Sequence, residues 1–200
     1  MSDDILLNND PEDAIKAAAK RPHLEERLFK ARTILIYGGI NQKLAESVSA
    51  RLLALSADSD EPITIYINSQ GGHVESGDTI HDMIRFVKPV VRIVGTGWVA
   101  SAGALIYAAA KRENRISLPN TRFMLHQPSG GAGGTASDIA IMAKEIVRMR
   151  LRLNEIFARE TGQSLERIEK DTQRDHWMSA QEAKDYGLVG RIVANAAELA

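Results

Sequence analysis

Apolar residues recur along this chain with two interleaved periods. Short runs rich in β-branched residues, Thr33-Ile34-Leu35-Ile36-Tyr37, Ile63-Thr64-Ile65-Tyr66-Ile67 and Val90-Val91-Arg92-Ile93-Val94, have the length and content of buried strands. Gly38-Gly39 is expected to end the first run, and the second runs into Asn68-Ser69-Gln70-Gly71-Gly72. Between them, Asn41 to Leu55 sets Leu44, Val48, Leu52 and Leu55 on one helical stripe, and a further helix is expected from about Glu75 to Phe86. Strands alternating with helices predict an α/β fold with a largely parallel sheet.

The second half continues the pattern. Ala102 to Ala110 is small and apolar enough for a buried helix, and Arg115-Ile116-Ser117-Leu118 and Arg122-Phe123-Met124-Leu125 read as short strands on either side of Pro119-Asn120. The longest helix should begin at Thr135, with Asp138 completing its cap, and carry Ile139, Met142, Ile146, Met149, Leu153 and Ile156-Phe157 on its apolar side. Its span is roughly 35–40 Å at about 1.5 Å per residue, longer than a domain of this size needs, which suggests a role between subunits. A shorter helix follows from Ser164 to about Thr172. Ser179-Ala180-Gln181-Glu182 is a capping box for the last helix, which stops at Gly187, and Leu188 to Val193 closes as a strand. At the other end, Pro11 to Lys20 has helix-forming content but could equally be a mobile arm.

Composition narrows the function. The chain has 200 residues, 44% hydrophobic and 26% charged, which suits one globular domain with a substantial core. A formal net charge of -1 gives no electrostatic case for nucleic acid or an anionic membrane. No apolar run approaches a membrane span, and the Met1-Ser2-Asp3-Asp4 start is unlike a signal sequence, so a cytoplasmic protein is expected. The absence of cysteine removes disulfides, thiolate metal sites and a cysteine nucleophile together, and no metal site is expected.

The candidate chemistry centres on Ser101, where Gly95-Thr96-Gly97-Trp98-Val99-Ala100 hands a strand over to a helix. There a serine oxygen can face a cleft while free helix N–H groups favour a developing negative charge. The plainer reading is a helix cap, since serine is a preferred N-cap residue. Val99 departs from the G-x-S-x-G elbow of esterases. A nucleophile needs a base and a group to orient it. Of five histidines, His126 ends an apolar strand before Pro128, where strand ends present side chains to clefts. Asp171 and Asp175 both precede the last helix, and spacing does not choose between them. Gly71-Gly72 could supply one backbone donor of an oxyanion hole and Ala102 the other, although two glycines also suit an ordinary turn. Gly130 to Gly134 lacks the Lys-Ser/Thr ending of a phosphate loop and reads as a flexible or strand-like segment facing substrate.

From about Leu28 to Val193 the chain resembles the proteolytic subunit of the Clp protease. The resemblance is carried, in order, by Asn68-Ser69-Gln70-Gly71-Gly72-His73-Val74, Ala100-Ser101-Ala102-Gly103-Ala104, Leu118-Pro119-Asn120-Thr121-Arg122 and Met124-Leu125-His126-Gln127-Pro128. Thr161-Gly162-Gln163-Ser164, Arg174-Asp175 and Tyr186-Gly187-Leu188-Val189 continue it. The resemblance implies the crotonase-like ββα superhelix of that family, with a protruding handle over about residues 127–160 on a single domain, 23–200, and an N-terminal axial arm, 1–22. It implies Ser101 as nucleophile, His126 as base, Asp175 rather than Asp171 as acid, and Gly72 and Ala102 as oxyanion donors. It further implies two stacked heptameric rings, of one chain or with a paralogous subunit, that enclose the sites. A hexameric ATPase of the AAA+ class would feed them unfolded polypeptides, while this subunit would bind no nucleotide or other cofactor itself.

Four positions depart from the family pattern. Gln70 stands where a proline usually precedes the two glycines, Gln173 where an acid usually precedes Arg174, Gly190 where Asp is common, and Glu25 where a Tyr is typical. These departures motivate an alternative, a structural or regulatory ring subunit active only with a paralogue; an acyl-CoA enzyme of crotonase fold ranks below both. A neutral Gln173 should weaken a charge-assisted contact of Arg174 across the ring interface. Gln173→Glu is therefore expected to shift assembly toward stacked double rings, and unchanged sedimentation would contradict this.

Overall fold

The computed structural model describes residues 23–131 and 133–199; the arm and the helix expected within residues 1–22 lie outside them. Residues 23–30 are helical (α1). The elements that follow are β1 (Thr33–Ile40), α2 (Gln42–Asp58), β2 (Ile63–Gly72), α3 (Val74–Phe86), β3 (Val91–Ala100) and α4 (Ala102–Ala108). Then come β4 (Arg115–Ser117), β5 (Arg122–Leu125), α5 (Ala136–Thr161), α6 (Leu165–Asp171), β6 (His176–Ser179), α7 (Ala180–Tyr186) and β7 (Arg191–Ile192).

One sheet organises the chain. β1, β2, β3, β4 and β7 lie side by side in that order, all parallel. β3 is the pivot: Ile93–Gly95 pair with β4, and Trp98–Ala100 pair in parallel with β5. The two short strands around Pro119-Asn120 thus do not pair with each other but share β3 end to end, because β3 has ten residues. β6 then adds antiparallel to β5, placing His176 opposite Leu125.

The strands are longer than their apolar runs. β1 and β2 continue through Gly38-Gly39 and Gly71-Gly72, with a register shift between Tyr37 and Gly39, because the parallel ladder pairs Gly39 with Gly71 and Ile40 with Gly72. Hydrogen bonding between backbones carries a strand past residues that have no side chain to pack. The closing strand is conversely shorter than expected, since β7 pairs with only part of the short β4.

Strand alternation divides the two faces of the sheet. Ile34, Ile36, Ile63, Ile65, Ile67 and Ile93 are buried in the core with the apolar sides of α2, α3 and α4. Leu35, Tyr37, Trp98 and Trp177 are exposed.

The helix caps follow the sequence closely. Asn41 caps α2 through its side chain, Thr135 with Asp138 and Ser179 with Glu182 form capping boxes, and Gly162 and Gly187 end α5 and α7 in the left-handed conformation. The hydrogen bonds from Thr135 and Ser179 hold the Asp138 and Glu182 carboxyls below the usual carboxylate range. The apolar stripe of α5 is packed unevenly. Leu153 and Phe157 join the core, whereas Ile139 and Met142 toward its start are exposed, as are Ile141, Val147 and Leu151 beside the stripe.

Gly190 has a structural explanation. A Cβ placed there would collide with the carbonyl oxygen of Arg112, and the Gly190 N–H donates to the Arg115 carbonyl at 2.8 Å. Gly190→Asp is therefore expected to destabilise the fold by about 1–3 kcal/mol, the usual cost of overpacking. Denaturant unfolding with an unchanged midpoint would contradict it.

Candidate active site

β3 delivers Ser101 directly to α4. Ser101 occupies the N-cap position with φ 55° and ψ -123°, a backbone conformation uncommon for a residue with a side chain. It is fixed on both sides: its N–H donates to the Met124 carbonyl at 2.9 Å, and its own carbonyl accepts from Ala104 and Leu105 at 2.9 and 3.2 Å. Its side chain makes no capping bond. The Oγ instead lies 2.8 Å from Nε2 of His126, and His126 Nδ1 lies 3.1 Å from an Asp175 carboxylate oxygen. The Ser101 side chain thus contacts His126 instead of capping α4.

The three side chains come from different places. Ser101 ends β3, His126 follows the last residue of β5, and Asp175 precedes β6. The antiparallel register that sets Leu125 against His176 brings residues 126 and 175 together one step beyond the ladder. Asp171, the other carboxylate left open by spacing, goes elsewhere. It accepts from the Tyr186 hydroxyl at 2.9 Å and lies 3.5 Å from the Arg167 guanidinium. Burial, with Asp171 adding to it, pushes the Tyr186 phenol well above its usual value.

The remaining histidines lie in other settings. His23 is near Glu26, His73 contacts Ser76 and Glu75 at the start of α3, buried His81 contacts Asp82, and His176 packs against the Tyr186 ring.

Gly71 lies against the serine, and Gly72 against Ile40 of β1. A Cβ on Gly71 would stand 2.6 Å from Ser101 Cβ and 3.1 Å from the Ala102 nitrogen, and Gly71 has φ +99°. Gly72 has φ +148°, and a Cβ on it would run into the Ile40 carbonyl. Glycine at 71 allows the end of β2 to approach the turn into α4, and glycine at 72 allows it to approach β1. As the first residue of α4, Ala102 has no intrahelical acceptor for its N–H. Sequence reasoning did not single out Ser69. Fully buried, it donates to the Gly38 carbonyl at 2.6 Å and accepts the Gly71 N–H at 3.0 Å, which holds the glycine turn in place. A serine two residues before a glycine pair was the available signal.

Val74, Ala102, Leu105, Pro128, Leu153 and Phe157 line a narrow apolar pocket with Ser101 and His126, its volume about 20 Å³. Two of these residues belong to the packed half of α5. Among the described residues no cluster of His, Asp and Glu could hold a metal ion, and no helix is long and apolar enough to cross a membrane.

A parallel α/β sheet that presents a Ser–His–Asp chain beside free backbone donors is the arrangement of a serine hydrolase. The Clp protease family profile matches residues 17–196. The chain is 61% identical over 194 residues to the ATP-dependent Clp protease proteolytic subunit 3 of Rhizobium etli, covering 97% of this chain and all of that one. It is 64% identical over 178 residues to proteolytic subunit 2 of Gluconobacter oxydans, covering 88% and 80% of the two chains. Among solved structures, ClpP1 from Listeria monocytogenes superposes with a TM-score of 0.81 at 60% identity, over 88% of this chain and 99% of that one. A point mutant of that protein gives 0.83 at 61% with the same coverage. The chain belongs to the Clp protease family and is a peptidase of that family, with its fold.

The separate settings of the two aspartates can be tested. Asp171→Asn is expected to keep peptide hydrolysis within about twofold and to cost less than about 1 kcal/mol, as for other partly exposed ion pairs. It should also lower the pH at which the Tyr186 phenol ionises, read by ultraviolet titration. A large loss of activity would show that Asp171 takes part in the reaction.

Proposed function

We propose that the chain is a serine endopeptidase subunit in which Ser101 is the nucleophile, His126 the general base and Asp175 its orienting acid. The continuous contact Ser101 Oγ–His126–Asp175, at 2.8 and 3.1 Å, carries this reading. In the first step Ser101 Oγ attacks the scissile carbonyl and its proton passes to His126 Nε2, while Asp175 holds the other ring nitrogen and stabilises the imidazolium. The tetrahedral oxyanion is met by the N–H groups of Gly72 and Ala102, donors of a kind each worth on the order of 10²–10³ in turnover. His126 then returns the proton to the leaving amine, and water repeats the sequence on the acyl-enzyme.

The substrate is an unfolded polypeptide inside a closed chamber made of two stacked heptameric rings, fed by a hexameric ATPase. Two observations support assembly. The first half of α5 carries exposed Ile139, Ile141, Met142 and Val147, which suits a handle over about residues 127–160 that packs between rings. One face of the sheet likewise exposes Leu35, Tyr37, Trp98 and Trp177. The described residues form a single domain, and the protein works in the cytoplasm without a cofactor of its own. All three positions of the triad are filled, which favours activity of this subunit by itself over a purely structural role.

Reaction of the purified protein with a fluorophosphonate probe tests the assignment. The adduct is expected on Ser101 by mass spectrometry and is lost in Ser101→Ala and His126→Ala. Asp175→Asn should reduce peptide turnover by a factor on the order of 10²–10⁴. A folded protein that stays unlabelled until a second Clp subunit is added would favour the structural-subunit reading instead.

A further inference from the structure

Asp175 is the exposed member of the triad. Its side chain is 58% exposed, against 23% for His126. Packing therefore does not hold the carboxylate against the imidazole, and the segment 172–175, between α6 and β6, must be fixed in another way. One end is fixed by the β5–β6 ladder at His176.

The geometry points to Gln127 as the residue that fixes the other end, a positioning residue that holds Asp175 in line with His126. Gln127 is the next residue after His126 and grips the segment twice. Its backbone N–H donates to the Thr172 carbonyl at 2.7 Å, and its side-chain Nε2 donates to the Gln173 carbonyl at 3.0 Å. Both acceptors lie at the carboxyl end of α6, where helix carbonyls lack intrahelical donors and accept well. Thr172 is anchored in turn. It is buried, and its hydroxyl contacts Asn154 of α5 at 3.1 Å and the Ile168 carbonyl at 2.8 Å. The grip of Gln127 thus ties the strand end that carries the base to a turn rooted in the packed half of α5. The Gln127 side chain, with its backbone bond to Thr172 and the ladder at His176, sets the spacing between His126 and Asp175 from outside the reacting atoms.

This inference rests on the triad assignment above, and a double-mutant cycle separates the two. Gln127→Met keeps the shape of the side chain and removes the donor, while the backbone bond to Thr172 remains. It is expected to lower kcat on a short peptide about tenfold with KM within twofold, and Gln127→Glu, which also lacks the donor, should do at least as much. If Gln127 acts through Asp175, the Gln127→Met loss should shrink to less than twofold in an Asp175→Asn background. A tenfold loss repeated in that background would show a merely structural effect and overturn the proposal, as would full kcat in Gln127→Met alone. Asp175→Asn without effect on kcat would instead overturn the triad assignment, and with it the premise of the clamp.

Discussion

The structure depends on the turn at which β3 becomes α4. A parallel strand buried on one face must leave the sheet within a residue or two to place a helix back over the core. Here Ser101 makes that reversal in a backbone conformation that costs about 1–3 kcal/mol for a residue with a side chain. Such a conformation persists only where its surroundings over-determine it. β5 holds the Ser101 N–H, α4 takes its carbonyl, and Gly71 leaves room beneath its Cβ. The same constraints turn Oγ away from its own helix and toward His126. The strained backbone of Ser101 and the placement of its Oγ against His126 have one origin.

The second organising feature is the pairing around β3. Because two short strands share its length, the carboxyl end of β3 has β5 beside it rather than β4, and β6 beyond. The site is therefore made at the far end of the sheet, where three chain segments distant in sequence arrive together. Two partly exposed groups, His126 and Asp175, meet through ladder register and hydrogen bonds to α6, not through burial. α5 serves both parts of the molecule. Its packed half lines the pocket beside Ser101 and anchors Thr172, and its exposed half offers an apolar surface to other chains.

Much was legible in the sequence because it depends on local chemistry. The 3.6-residue stripes, the two capping boxes and the glycine at 187 specify where helices start and stop from a few adjacent residues, and the structure places them there. The β-branched runs marked the strands. The ordered blocks of residues marked the family, although the elbow motif did not match at Val99.

What tertiary structure alone decided was everything that depends on partners far along the chain. The sequence could not tell whether Ser101 caps a helix, because the deciding bond runs to a residue 25 positions away. By spacing it could not separate Asp171 from Asp175, which are four residues apart; in the structure Asp175 meets His126, brought there by the pairing of β6 with β5, while Tyr186 and Arg167 engage Asp171. Nor could it show that strands continue through glycine pairs, or that β4 and β5 share a neighbour, since a ladder is extended by the backbone of another strand. Propensity and capping act within a turn of helix, whereas register, close approach and the alignment of reacting groups are set by contacts that exist only once the sheet has formed.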